Sequence, residues 1–209
     1  MENEKRMIAD YTVLCAINVG KREVVLACDK HNKDGEKFVC GFAEQNGIFE
    51  RYEEFVGSDD YIEIARLFGN RIVNETELFK EQVENLGIPV TVITQDDCIP
   101  DHYKNDINGK IIAINSDIFK PEYQRADRQL FLVTGGFGAS ANSRGSAVFC
   151  KNLYDGKTAR YERMDVLGEV KPECMPDWAK EKAEAISRKH KTKEQERYDP
   201  YSGFGQTAD

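Results

Sequence analysis

The chain has 209 residues, of which 40% are hydrophobic and 32% charged, and its formal net charge at pH 7 is −8. A chain of this length can bury one large core or two small ones without disulfides or a structural metal. The charged start of the chain is not followed by an apolar segment, and no apolar run approaches the roughly 20 residues of a membrane span. We therefore expect a soluble, cytoplasmic protein with no membrane partner.

Acidic residues are concentrated in the first hundred positions. Residues 1–100 carry 11 Lys and Arg against 20 Asp and Glu, whereas residues 101–171 carry 11 against 9 and residues 172–209 carry 7 against 8. Because affinity for phosphates is largely electrostatic, this distribution argues against nucleic-acid binding by the chain as a whole. It favours a partner with a basic surface for the N-terminal half.

Residues 1–87 predict an acidic antiparallel β-meander with a packed amphipathic helix. Strand-like runs at 11–19, 23–28, 37–42 and 48–55 are separated by turn signals, among them Asp34-Gly35 and Asn46-Gly47. Ser58 is the predicted cap of a helix that ends near Gly87. An apolar stripe should pack this helix on one face of the meander: Tyr61, Ala65, Phe68, Ile72, Phe79 and Val83.

Residues 88–190 predict a small β-barrel-like or bent-sheet unit with a C-terminal helix. The predicted strands are 90–94, 110–115, 129–134, 147–153 and 159–164. A final helix is predicted from Asp177 to about His190, with Trp178 and Ile186 as docking contacts, and residues 191–209 predict a flexible tail. The whole chain is therefore predicted to be α+β.

The segment 135–145 sets four glycines between two β-type runs. Glycine permits positive φ and close approach of another backbone or a ligand, so the loop is either a binding edge or a long hairpin turn. It lacks the Gly-x-x-x-x-Gly-Lys-Ser spacing and the following helix of a phosphate-binding loop. We therefore predict no nucleotide pocket in this loop.

The six cysteines are spread along the chain, several of them inside predicted strands, which favours reduced core thiols over disulfides. Two groups place cysteine and histidine close together: Cys28, His31 and Cys40, and Cys98 and His102. Their spacing is irregular for a tetrahedral zinc site, so we predict no metal and no cofactor. Cys98 follows Asp96 and Asp97, and neighbouring carboxylates raise a thiol pKa, which argues against a catalytic nucleophile there.

Two charged sets are candidate binding surfaces, although an ordinary solvated face would look the same in sequence. The predicted partner-binding set is acidic: Glu50, Glu53, Glu54, Asp59, Asp60 and Glu63. Carboxylates on one surface can occupy a basic nucleic-acid channel. The predicted nucleic-acid-binding set is cationic and aromatic: Arg144, Lys151, Lys157, Arg160, Tyr161 and Arg163.

The segments 117–123 (Asp-Ile-Phe-Lys-Pro-Glu-Tyr), 135–145, 152–157, 163–168 and 172–179 together resemble a family of accessory proteins. That family is carried by plasmids and integrative conjugative elements of gut Clostridia and their relatives. The resemblance covers roughly residues 50–180 and assigns no catalytic residue.

Such elements carry antirestriction and anti-CRISPR genes, so the resemblance implies a non-enzymatic inhibitor of a host defence nuclease. The expected partner is a type II CRISPR effector or its guide complex. The alternative is a DNA- or RNA-binding accessory module for transfer or maintenance of the element.

Overall fold

The chain divides into two units, Met1–Ile88 and Pro89–Asp209, each with its own sheet. The computed structural model describes residues 6–33, 35–45 and 50–186, without the side chains of residues 45 and 50. The predicted tail, residues 191–209, lies outside these described residues, as does most of the predicted turn at 45–47. The architecture is α+β, as predicted.

The first unit is an antiparallel meander curled as a half-barrel. Its five strands pair in chain order: β1 Met7–Ile8, β2 Tyr11–Val19, β3 Arg22–Cys28, β4 Phe38–Gln45 and β5 Glu50–Ser58. Gly20 lies in the two-residue turn between β2 and β3 with a φ of +61°, and a Cβ there would lie 2.7 Å from the Phe79 ring. The turn therefore requires glycine for its backbone conformation and for this contact.

The helix α1, Tyr61–Glu84, follows β5 directly. Asp60 caps it, because its Oδ1 accepts hydrogen bonds from the backbone N–H groups of Ile62 at 2.8 Å and Glu63 at 3.4 Å. The predicted cap, Ser58, is instead the last residue of β5. The predicted cap was therefore wrong by two residues. Serine and aspartate both cap helices well, so the sequence alone did not distinguish Ser58 from Asp60.

One face of α1 packs on the sheet, as predicted. Ile64, Phe68 and Ile72 contact an apolar cluster of β3 and β4: Val24, Leu26, Cys40 and Phe42. Ile64 is fully buried although the predicted stripe omitted it, whereas Tyr61 of that stripe is 47% exposed. Each fully buried aliphatic or aromatic side chain of this kind contributes about 1.5–3 kcal/mol, so the cluster anchors the helix.

The opposite face of the same sheet has a second, smaller core. Val25 and Ala43 are buried there beside the half-buried rings of Tyr52 and Phe55. These rings meet edge to face at a centroid distance of 6.1 Å. Gly41 leaves no room for a Cβ beneath the Phe55 ring. Small residues on this face therefore let the aromatic rings fold over the curled sheet.

The second unit is built on an open antiparallel sheet of six strands. They are β6 Cys98–Pro100, β7 Ile111–Ile114, β8 Leu130–Gly135, β9 Ala147–Asn152, β10 Thr158–Glu162 and β11 Val166–Val170. Their order is β10–β9–β8–β7–β11–β6, so β10 and β6 form the edges. Phe131 and Val148 belong to a core cluster that differs from the cluster of Leu130 and Val170, which shows that both faces of the sheet are covered.

Residues 90–94 form no strand, contrary to prediction. The buried Gln129, at the end of the short helix α2 (Ala126–Gln129), bonds this segment instead. The Ile93 N–H donates to Gln129 Oε1 at 2.9 Å, and Gln129 Nε2 donates to the carbonyls of Ile93 at 2.8 Å and Ile114 at 3.1 Å. A side-chain amide thus takes the place of a neighbouring strand, which a pattern of apolar residues cannot reveal.

The described part of the C-terminal helix covers residues 177–186. Ala179 is buried in the second unit, and the predicted docking residues Trp178 and Ile186 pack against the same cluster. Among the residues described, no helix is both long and apolar enough to cross a membrane.

Candidate functional site

Three of the predicted acidic residues lie at the start of α1. Asp60 is the helix cap, and Glu63 Oε2 accepts a hydrogen bond of 2.7 Å from the Ser58 hydroxyl. Asp59 is exposed, and its Oδ1 accepts a hydrogen bond of 3.1 Å from the backbone N–H of Lys37. Asp60 and Glu63 therefore stabilise the first turn of the helix, and Asp59, whose side chain is 69% exposed, also lies 3.9 Å from Lys37 Nζ.

Arginines offset the predicted acidic residues of β5. Arg22 Nη2 lies 2.9 Å from Glu54 Oε1 and 4.0 Å from Glu53 Oε2, and Arg51 Nε lies 2.6 Å from Glu53 Oε1. Glu50 belongs to β5, but its side chain lies outside the described residues. The five described carboxylates are thus divided between β5 and the start of α1, and neighbouring arginines reduce the negative potential of β5.

The predicted cationic residues lie on β9, β10 and the adjoining loops. Arg160 Nη2 lies 2.6 Å from Glu162 Oε1, and Lys157 Nζ lies 3.1 Å from Asp155 Oδ2. Such surface pairs are weak, but they reduce the charge that is available to a phosphate. Two further cations of the predicted set are exposed: Lys151 on β9 and Arg144 in the segment 135–145.

Arg163 was predicted to contact nucleic acid, and the structure corrects this prediction. Its side chain has no exposed surface and forms an ion pair with Asp101. Nη1 donates to the carbonyl of Gly138 at 2.6 Å, Nη2 donates to that of Asn105 at 3.0 Å, and the Arg163 N–H donates to the carbonyl of Ser146 at 2.7 Å. These five residues form the Arg163 cluster. It joins the loop between β8 and β9, residues 135–146, which we call the glycine loop, to the segment 101–105 and to Arg163 itself.

Tyr161 is also less available than predicted. Its ring packs edge to face with Phe131 at 5.0 Å and with Phe119 at 6.3 Å between centroids. Burial raises the pKa of its phenol to about 12. Tyr161 therefore faces the core side of β10, and it does not share the outward face of that strand with Arg160.

The glycine loop, residues 135–146, is held in place on both sides. Ala139 is fully buried, and the carbonyls of Gly138 and Ser146 belong to the Arg163 cluster. Phe137 is nevertheless 82% exposed, and Met164, next to Arg163 in the chain, is 79% exposed. Each of the two follows or precedes a member of the Arg163 cluster in the chain, and we call these two exposed side chains the loop patch. The sequence signal was a lone phenylalanine among glycines, but nothing in that pattern indicated its exposure.

Four of the six cysteines are buried, which favours a structural role for their thiols. Burial, together with the smaller effect of the Asp97 carboxylate, raises the pKa of Cys98 to about 11. Burial raises the pKa of Cys150 to about 12. A thiol with such a pKa is almost fully protonated at neutral pH, and the thiolate is the reactive form. Within the described residues, no group of three or more His, Cys, Asp and Glu side chains is placed to hold a metal ion.

The structure thus offers two kinds of exposed feature for recognition. One is the loop patch, and the other is a set of exposed charges that includes Glu54, Asp59 and Lys151. Comparison with protein-family models, with curated proteins and with solved structures finds no match to this chain.

Proposed function

We propose that the chain is a non-enzymatic inhibitor that binds a host defence nuclease through the loop patch. The observation that carries this proposal is the combination of exposed side chains with a fixed backbone. Phe137 and Met164 are among the most exposed large apolar side chains described, yet the Arg163 cluster holds the backbone beside each of them. Aromatic side chains at the centre of an interface often dominate binding energy, and a loop that is already ordered loses less entropy on binding.

The resemblance of residues 50–180 to accessory proteins of mobile elements supports a defence nuclease as the target. A type II CRISPR effector or its guide complex is the proposed partner. The acidic balance of the first hundred residues supports the same choice, because a nuclease that binds nucleic acid has a basic channel. Exposed carboxylates such as Glu54 and Asp59 would speed association by long-range attraction.

The alternative function is a DNA- or RNA-binding accessory module. The exposed cations Lys151 and Arg144 support it. It has weaker support than the inhibitor, because Arg163 is buried and both Arg160 and Lys157 lie beside carboxylates.

The test combines a pull-down with a DNA-cleavage assay on a purified type II effector loaded with its guide. The native chain should bind the effector and slow cleavage. The double variant Phe137→Ala, Met164→Ala should weaken binding by roughly thirtyfold, since each anchor is worth at least about 1 kcal/mol. Leu78→Ala is the matched control, because it truncates an exposed apolar side chain of α1 in the other unit.

Loss of both binding and inhibition in the double variant, with both retained in Leu78→Ala, would support the proposal. A native chain that neither binds the effector nor changes its cleavage rate would refute this target. Equal losses in the double variant and in Leu78→Ala would refute the loop patch as the contact.

A further inference from the structure

A cavity of about 300 Å³ opens beside β10 in the second unit. Its walls include aromatic and charged side chains: Phe119, Tyr123, Arg128, Phe131, Lys157 and Tyr161. This volume is at the lower end of the range of about 300–1,000 Å³ for small-molecule sites. The cavity is therefore large enough for one small planar ligand, and it is too small for a folded segment.

The aromatic wall of the cavity is fixed by packing. The Tyr161 ring contacts Phe131 and Phe119 edge to face, and both Phe119 and Tyr161 pack against the core cluster that contains Phe131. Phe119 lines the cavity and is inclined by 77° to Tyr161, so one of these rings at a time can offer its face to a base. Stacking on aromatic side chains is a common way to bind a nucleic-acid base.

A cation, Arg128, lies at the rim of the cavity beside the buried carboxylate of Asp127. The guanidinium of Arg128 lies 5.3 Å from the centre of the Tyr123 ring, and its Nε lies 3.4 Å from Asp127 Oδ2. Asp127 is buried and also accepts two hydrogen bonds from Arg125, at 3.0 and 3.2 Å. The ion pair with Asp127 is on the Nε side of Arg128, and the Arg128 side chain is 42% exposed, so its two Nη groups can face a ligand.

A second cation completes the rim. Lys157 and Asp155 also line the cavity, and Lys157 Nζ lies 3.1 Å from Asp155 Oδ2. The lining residues thus carry two positive charges and one negative charge. An anion is favoured at such a rim, and the planar fork of an arginine suits the oxygens of a phosphate.

We propose that this cavity binds a nucleoside monophosphate. The base stacks on the Phe119 ring, with the Tyr161 ring at its edge, and the phosphate meets Arg128 and Lys157. Asp155 accepts a hydrogen bond from a ribose hydroxyl or a base amino group. The same chemistry is offered by a free nucleotide and by the 5′-phosphorylated end of a single strand. This site is separate from the loop patch, so neither proposal depends on the other.

Calorimetric titration of the full chain tests this proposal. The probes are the four nucleoside 5′-monophosphates, adenosine, inorganic phosphate, and short oligothymidylates with and without a 5′-phosphate. At least one monophosphate should bind roughly tenfold more tightly than adenosine or phosphate alone, because each of these makes only half of the contacts. Tighter binding of the free monophosphate identifies a free nucleotide as the ligand, and tighter binding of the 5′-phosphorylated strand identifies a strand end.

Three variants locate the site. Lys157→Ala should weaken binding about threefold, and Arg128→Gln should weaken it roughly tenfold. Lys110→Ala is the matched control, because it removes an exposed lysine of the same unit that also lies 3.2 Å from a carboxylate and does not line the cavity. Its affinity should be unchanged. Since Lys157 is a surface residue, its variant remains informative even if Arg128→Gln fails to fold.

Two results would overturn the proposal. One is the absence of binding by every monophosphate and by the phosphorylated strand up to roughly 1 mM, a concentration that would reveal even weak sites. The other is an equal loss of affinity in Lys110→Ala and Lys157→Ala, which would indicate a general charge effect outside the cavity.

Discussion

Arg163 and Asp101 form a two-pronged ion pair inside the second unit, with Nε 2.5 Å from Oδ2 and Nη2 2.6 Å from Oδ1. Their side chains are 0% and 7% exposed. Removing one partner from such a pair leaves a buried charge without compensation, which typically costs about 3–5 kcal/mol. Because Arg163 also holds Gly138 and Ser146, the pair supports both the stability of the unit and the position of the loop patch.

We therefore expect Arg163→Ala to lower the free energy of unfolding by about 3–5 kcal/mol. Arg163→Lys should lose less, because it keeps the charge but loses the planar fork. Urea denaturation followed by circular dichroism measures both changes. Arg144→Ala, at an exposed site in the glycine loop, is the control and should change stability by no more than about 0.5 kcal/mol. A loss below about 1 kcal/mol in Arg163→Ala would contradict the structural role.

Stability should fall at alkaline pH. Burial raises the pKa of Cys98 to about 11 and those of Cys150 and Tyr161 to about 12. In the unfolded chain these groups titrate near about 8.5 for cysteine and about 10 for tyrosine. Between the unfolded and folded pKa values the folded form binds more protons than the unfolded form, so stability decreases as pH rises.

The contribution of these three groups to the free energy of unfolding should be fully present below about pH 8.5. It should be lost progressively towards about pH 12. Urea midpoints measured from neutral pH to about pH 10.5 test this expectation. Cys150→Ala removes one of the titrating groups, so its profile should be less steep than that of the native chain. A urea midpoint that does not change with pH over this range would contradict the expected loss of stability.

Partner binding should depend on Glu54 and Asp59, whose side chains are 60% and 69% exposed although Arg22 and Lys37 lie near them. We expect Glu54→Lys with Asp59→Lys to slow association with the nuclease roughly tenfold at low salt, since rim charges act mainly on the association rate. Asp60 is left unchanged because it caps α1. Association rates measured by surface plasmon resonance at several salt concentrations test this expectation.

The control for this experiment is Glu77→Lys with Glu81→Lys, which makes the same change in net charge on the later turns of α1. An association rate that falls in the Glu54 and Asp59 variant but not in this control identifies a local acidic contact. Unchanged association in the Glu54 and Asp59 variant would remove the acidic residues from the proposed interface.

Free single-stranded DNA should bind weakly near physiological salt, with a dissociation constant above about 1 μM, because the acidic half repels phosphates. If binding is detected at low salt, Lys151→Ala and Arg160→Ala should each reduce the salt dependence by about one unit of slope. Filter binding at several salt concentrations measures this slope. Submicromolar affinity at physiological salt would make the nucleic-acid module the better function.

The meander and its helix could be predicted because their signals are local. Alternating apolar residues, turn residues at fixed offsets and a capping residue act within a few positions of one another. Gln129 and Arg163 could not be placed in this way, because their partners are distant in sequence: Ile93 is 36 residues from Gln129, and Asp101 is 62 residues from Arg163. Charged residues are usually exposed, so Arg163 was assigned to the surface.

The candidate sites show the same limit. The cavity beside β10 takes its walls from separated segments, including Phe119 before β8 and Tyr161 on β10, and only the fold brings them together. The exposure of Phe137 depends on the Arg163 cluster, which holds the backbone beside it. By contrast, the sequence correctly indicated buried thiols for Cys28, Cys40 and Cys150, which lie in predicted strands, whereas Cys15 of another predicted strand is exposed.

The charged residues of β10 have a further consequence for solubility. β10 is an edge strand, and an edge offers unpaired N–H and carbonyl groups to any other strand it meets. Arg160 and Glu162 place a charged pair on this edge, next to Lys157 in the preceding turn. Charged side chains on an edge discourage pairing with a second chain. Apolar replacements at these positions would therefore show their effect as concentration-dependent aggregation, while the stability of the isolated monomer changed little.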